Sequence, residues 1–172
     1  MERLLGLSQK RAKELAPGEL FLFAHRSSDE PTSLAILLEN NPQGEPVYGV
    51  IASPDFGTPI CWHVGDETDY CLSYGSNWLL EERPTVGVAL AEEADQNIRV
   101  FIDKEAVVLK FLPPQGLSHR ALLFDVVAAK FHQQLGSRAA RLSRWAIWAS
   151  RDQFDSHRGS PLFEFAPAKT RS

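Results

Sequence analysis

The chain has 172 residues, 44% hydrophobic, 23% charged and 10% aromatic, with a formal net charge of −4. A chain of this length buries roughly 70% of its unfolded surface and folds without a disulfide or a structural metal. The composition excludes a disordered chain, a collagen-like repeat and a cysteine-stapled peptide. No apolar run approaches the roughly 18 residues of a membrane-spanning helix. At the N-terminus Leu4-Leu5-Gly6-Leu7 precedes Lys10-Arg11-Ala12-Lys13, nearly the reverse of a secretory signal. Two cysteines, Cys61 and Cys71, give no disulfide framework, so a reducing cytoplasm is the expected setting.

Taken in chain order, the pattern predicts a short first helix over Gln9–Leu15, capped by Ser8 and stopped by Pro17-Gly18. Short strands follow at Glu19–Ala24, Ser33–Glu39, Val47–Ser53, Pro59–Val64, Asp69–Tyr74, Asn77–Glu82, Val86–Leu90, Ile98–Asp103 and Val107–Leu112. Turn chemistry separates them, as in Asn40-Asn41-Pro42-Gln43-Gly44 and Gly75-Ser76. Close spacing without intervening helices argues for an antiparallel sheet of about eight or nine strands, curled or barrel-like. Leu20-Phe21-Leu22-Phe23 and Ala35-Ile36-Leu37-Leu38 are continuously apolar and expected to be buried on both faces.

Pro113-Pro114-Gln115-Gly116 marks the clearest internal boundary. Beyond it the pattern predicts an α-hairpin over residues 117–152, one helix from Ser118 to Leu135 and a second from Ser137 to Ser150, turned by Gly136. Residues 153–172 form a tail in which Pro161–Phe165 can add an edge strand. The expected fold class is therefore α+β: one domain over residues 1–172, with a β-rich portion at 1–112 and the helical hairpin packed on the sheet.

Charge divides at the same boundary. Residues 1–117 carry nine Lys and Arg against eighteen Asp and Glu, a net of −9. Residues 118–172 carry nine against four, a net of +5. On a helix over residues 138–151, Arg138, Arg141, Arg144 and Arg151 share a half with Trp145 and Trp148. Arginine beside tryptophan suits nucleic acid, since guanidinium groups pair with phosphates and indoles stack on bases. The alternative is that the tryptophans pack on the sheet while the arginines reach water or its acidic groups. Within this segment Leu135-Gly136 and Leu142-Ser143-Arg144-Trp145 resemble the turn and recognition helix of bacterial helix-turn-helix regulators, over eleven residues. That resemblance implies DNA binding by the second helix; Ser137 and His132 depart from the family's pattern.

Cys61 and His63 lie two apart on one predicted strand, with Cys71 on the next predicted strand. Together they offer a thiol or metal site if the hairpin register brings them together, though the spacing is not a standard zinc pattern. The other reading makes both cysteines small buried hydrophobes. His25-Arg26-Ser27-Ser28, at the end of an apolar strand, can bind an anion. Trp62, Tyr70, Tyr74 and Trp78 crowd one short window and form either an interaction patch or a core cluster. The chain lacks Gly-x-Gly-x-x-Gly, a phosphate-binding Gly-x-x-x-x-Gly-Lys, Gly-x-Ser-x-Gly and His-Glu-x-x-His.

The reading these features favour is a non-catalytic binding protein, inhibitor- or immunity-like. It would act on a protein partner, expected to be basic, with no cofactor and no membrane association. The alternatives are a nucleic-acid-binding protein using His25, Arg26, Arg141, Arg144, Trp145, Trp148 and Arg151, and an enzyme built on His25, Cys61 and His63.

Overall fold

The computed structural model describes residues 7–24, 31–54, 61–65, 70–83, 100–113, 120–157 and 159–166. The described chain begins with β1 (Ser8–Arg11) and a 3-10 turn over Ala12–Glu14. It continues through β2 (Leu20–Phe23), β3 (Ser33–Asn40), β4 (Pro46–Ala52), β5 (Cys61–Val64), β6 (Tyr70–Gly75) and β7 (Leu79–Glu82). Next come β8 (Val100–Asp103), β9 (Ala106–Phe111), β10 (Leu122–Asp125), β11 (Lys130–Phe131), β12 (Ala140–Arg141) and β13 (Trp145–Trp148). A five-residue helix, α1 (Arg151–Asp155), and β14 (Phe163–Phe165) complete the described chain.

The strands form three antiparallel sheets in the orders β1-β6-β2-β3-β4-β5, β11-β10-β9-β8-β12 and β14-β13-β7. None of them closes into a barrel. Among the described residues no helix is long and apolar enough to cross a membrane.

Alternation along the strands decides what lies between the sheets. Leu20, Ile36 and Ile51 of the six-stranded sheet meet Leu109, Phe111 and Phe124 of the five-stranded sheet and Trp145 and Ile147 of the three-stranded one, all of them fully buried. Each such aliphatic side chain contributes about 1.5–3 kcal/mol through burial. The sheets approach so closely that a Cβ on Gly49 of β4 would lie 2.3 Å from the Phe111 ring. Trp62 N–H donates to the Leu112 carbonyl (3.0 Å), joining the outer edge of β5 to the chain just after β9. The opposite face of the six-stranded sheet is apolar too, with Phe21, Phe23, Ala35, Leu37 and Val50 buried alongside Leu15 from the segment after the 3-10 turn. This accounts for the continuously apolar sequence of β2 and β3.

The expected α+β class is wrong: the protein is mostly β, and the described residues form neither the expected N-terminal helix nor the expected C-terminal α-hairpin. Ser8–Arg11, read as the start of a helix, is instead an edge strand whose pairing partner is some sixty residues away in β6. The first half of the expected hairpin is broken at Asp125. Its Oδ1 accepts from the N–H groups of Val127 (2.9 Å) and Ala128 (3.2 Å), an Asx-type turn. Ala129 then takes a φ of +50°, which a helix cannot accommodate. The chain folds back so that Phe124 faces Phe131 across β10 and β11. The second half is also extended, because Trp145–Trp148 is buried on both strand faces between β7 and β14. Apolar residues distributed all around a helical wheel fit a doubly buried strand equally well.

The expected strand at Val86–Leu90 lies outside the described residues. The expected hairpin between the strands holding Cys61 and Cys71 does not form: β5 pairs with β4, whereas β6 pairs with β1 and β2.

Candidate functional site

The row Tyr70, Leu72, Tyr74 on β6 runs from solvent into the space between the sheets. Tyr74 packs against the main core, and its burial raises the phenol above its usual pKa. Leu72 is half-buried beside Leu22, its partner on β2. Tyr70, at the outer end of the strand, is 58% exposed. A β-bulge between Leu20 and Phe21 on the β2–β6 pairing leaves Tyr74 as the extra residue and lets it reach the core.

Register places Arg11 opposite Tyr70 and Gln9 opposite Leu72, so these four side chains share one side of the sheet. Arg11 Nε donates to the Tyr70 hydroxyl (3.3 Å), and the guanidinium carbon lies 5.6 Å from the ring centroid. The hydroxyl's hydrogen bond raises the Arg11 pKa above its already high ordinary value. Arg11 N–H donates to Glu14 Oε2 (2.9 Å), which occupies a donor at the free edge of β1.

On the opposite side of β1, Lys10 Nζ donates to both Glu19 oxygens (2.8 and 2.9 Å), and Ser73 Oγ donates to Glu19 Oε2 (2.9 Å). The short edge strand is therefore fastened on both faces by polar side chains. Beside Tyr70 opens a cleft of about 290 Å³ lined by Gln9, Ala24, Pro31, Tyr70, Cys71 and Leu72. That is at the lower end of small-molecule sites, which run from about 300 to 1,000 Å³. It suits one side chain, not a nucleotide-sized cofactor.

The remaining sequence candidates are dispersed. Trp62 is on β5, separated from Tyr70 on β6 by β2, β3 and β4. Four strand spacings of about 4.8 Å make roughly 19 Å. Trp78 packs against the core and donates its indole N–H to the Gly18 carbonyl (2.9 Å). The four aromatics thus do not form one patch, and Tyr70 is the exposed member.

The same separation divides Cys61 and His63 from Cys71. Cys71 is 3% exposed, and its thiol donates to the Lys10 carbonyl (3.5 Å). His63 stacks on Tyr48 at a centroid distance of 6.2 Å. Among the described residues no group of three or more His, Cys, Asp or Glu side chains is placed to hold a metal ion. His25 and Arg26 lie outside the described residues.

Trp145 is fully buried and Trp148 is 8% exposed, so neither presents a face for base stacking. Trp148 donates its indole N–H to Glu81 (2.8 Å) and meets the Phe154 ring edge-on, at 5.6 Å between centroids. Arg144 approaches Glu164 (3.9 Å), while Arg83 bridges Glu81 (3.1 Å) and Glu164 (2.7 Å). This network ties the three strands of the small sheet together. Arg141 and Arg151 are exposed.

One further polar cluster joins β8 to the loop before β12. Asp103 Oδ2 accepts from Gly136 N–H (2.7 Å) and contacts His132 Nε2 (3.2 Å). The Gly136 bond, with His132 and Lys104 adding to it, holds the Asp103 carboxyl below its usual pKa despite opposing burial. A Cβ on Gly136 would meet Asp103 Oδ1 at 2.9 Å, so a side chain there would displace the carboxylate.

Arg11, the residue that orients Tyr70, carries no local signal in the sequence; its role appears only once β1 pairs with β6. Comparison with protein-family models, with curated proteins and with solved structures finds no match, so the functional reading rests on the residues of the chain itself.

Proposed function

We propose that the chain is a non-catalytic binding protein of the reducing cytoplasm, acting by protein–protein contact through Tyr70, Arg11 and the adjoining cleft. The carrying observation is Tyr70: a large aromatic, 58% exposed, held by a guanidinium and set beside a partly apolar recess. Tyrosine and arginine dominate binding hot spots, tyrosine because it brings contact area at low entropic cost and arginine through directed, charge-assisted hydrogen bonds. The excess of acidic groups in residues 1–117 favours a basic partner at the encounter stage, acting on rate more than on affinity.

The test is affinity capture with immobilised wild type, Tyr70→Ala and a control, Val127→Ser. Val127 is an exposed side chain in the loop between β10 and β11. The expected result is a protein retained by wild type and control and reduced about tenfold or more by Tyr70→Ala, a loss of at least about 1.4 kcal/mol. Equal retention by all three refutes the assigned surface. Absence of any retained protein, together with measured turnover of a small substrate, refutes the class.

A further inference from the structure

We infer that the Tyr70 cleft receives the C-terminal residue of the partner protein, its apolar side chain in the recess and its α-carboxylate on Arg11 and Tyr70. This deepens the proposed function and rests on it. The chemistry follows from which donors remain open. Arg11 spends Nε on the Tyr70 hydroxyl and its backbone N–H on Glu14. Its two Nη groups have no partner among the described residues, leaving the paired N–H donors that match a carboxylate. The Tyr70 oxygen accepts the Nε–H, so its own proton is available to the same anion. Tyr70 lines the cleft and Arg11, outside that lining, is bonded to the Tyr70 hydroxyl, so the guanidinium neighbours the cleft through Tyr70.

Inside, Ala24, Pro31 and Leu72 supply apolar lining, and the volume of about 290 Å³ admits one side chain. An apolar residue at a chain end carries a carboxylate and an apolar side chain on one carbon, which matches an anion site adjoining a small apolar recess. Capture of a terminal carboxylate is an established mode of peptide recognition. Glu14 accepts the Arg11 backbone N–H through Oε2, and its charge also acts on the guanidinium, so a ligand carboxylate would share the Arg11 charge with it.

The test uses the full chain and three probes: N-acetyl-Ala-Ala-Leu as the free acid, the same peptide as its C-terminal amide, and hexanoate. Binding is followed by amide NMR titration. The expected result is that the free acid binds about tenfold or more tightly than the amide, as the loss of a charge-assisted pair implies. The perturbed signals should include Arg11, Tyr70 and Leu72.

Arg11→Gln is expected to bring the acid down to the amide's affinity. Tyr70→Phe keeps the ring and removes one donor, so it should weaken the acid and leave the amide unchanged. Equal binding of acid and amide overturns the inference, as does acid binding that Arg11→Gln does not weaken. Hexanoate binding more tightly than the peptide acid reassigns the cleft to small acids and overturns the chain-terminus assignment. If Tyr70→Ala abolishes partner capture while acid and amide bind alike, this inference falls and the proposed function stands.

Discussion

Replacing Gly49 with alanine drives a methyl group into the ring of Phe111. The added Cβ would lie 2.3, 2.4 and 2.6 Å from three ring carbons, and that ring is fully buried. Carbon atoms in contact prefer separations of about 3.5–4.0 Å, so the ring or the β4 backbone must move by roughly 1 Å. Overpacking a tight core costs about 1–3 kcal/mol, and three clashing atoms with no solvent-facing escape place this case toward the upper end. Against it, alanine restricts the unfolded chain and returns about 0.4–1 kcal/mol. The expected net loss is about 2 kcal/mol. For a domain of this size that lowers Tm by roughly 4–8 °C. Thermal and urea denaturation followed by circular dichroism measures it, with the m-value checking that the unfolded state is unchanged. The clash should be relieved in the double variant with Phe111→Leu, giving a favourable coupling of at least about 1 kcal/mol in the double-mutant cycle. A Gly49→Ala loss under about 0.5 kcal/mol, or additivity with Phe111→Leu, would refute the packing of β4 against β9 through this contact.

Three further outcomes follow from the polar contacts. Asp103 has a lowered pKa, so its ionised form adds stability above the unfolded value of about 3.9, and that stability is lost as pH falls through the folded value. Asp103→Asn should therefore be less stable than wild type at neutral pH, with the gap in urea midpoint closing in acid; a gap that widens in acid contradicts the assignment. Tyr74 has a raised pKa, so its contribution is whole below about pH 10 and is lost as pH rises through the folded value. Phenolate absorbance should show a tyrosine titrating later than free tyrosine, and Tyr74→Phe should remove that phase. Trp148→Phe deletes the indole bond to Glu81 and should cost about 1–3 kcal/mol in equilibrium denaturation. If the same substitution costs as much in a Glu81→Ala background, which removes the acceptor, the bond is not the source.

The described strands between residues 19 and 112 were legible because turn residues punctuate them. Asn41 in the β3–β4 loop accepts from the Gln43 and Glu45 N–H groups (3.0 and 2.8 Å), and Gly44 takes a φ of +83°. Such turns are encoded within a few residues, and a reader of local sequence sees them. The segment after Pro113 carries its decisive signals elsewhere. Asp125 looks like an ordinary polar residue on a helix until its carboxylate is seen turning the chain, and Ala129 gives no hint of a positive φ. Trp145 and Ile147 are extended because β7, more than sixty residues earlier, lies alongside them. Tertiary pairing of this kind overrides helix propensity, which is a weak preference per residue. The candidate site follows the same division. Tyr70 stood out as an aromatic on a strand, but its separation from Trp62 and its pairing with Arg11 depend on a strand order that no local window contains.

The division of charge at residue 117 takes on a different meaning once the contacts are known. If the −9 and +5 portions served as electrostatic glue, acids of the first would pair with arginines of the second. Among the described residues the contacts run otherwise. Arg83 of the acidic portion meets Glu164 of the basic one, with the signs reversed. Glu81 takes an indole N–H, and Asp103 takes a backbone N–H and a histidine. Arg138, Arg141 and Arg151 remain exposed. These arginines are not consumed in holding the sheets together, and the buried apolar interfaces that do hold them are far larger than any surface pair, which is worth about 1 kcal/mol or less. Charge left at the surface acts over a Debye length of about 8–10 Å at ordinary salt, long enough to orient an approaching partner and too weakly to hold it. In the proposed function, steering therefore belongs to the acidic and basic surfaces, and retention belongs to the desolvated contact at Tyr70. A variant that alters surface charge should change the rate of association, and one that removes the tyrosine ring should change how long the complex lasts.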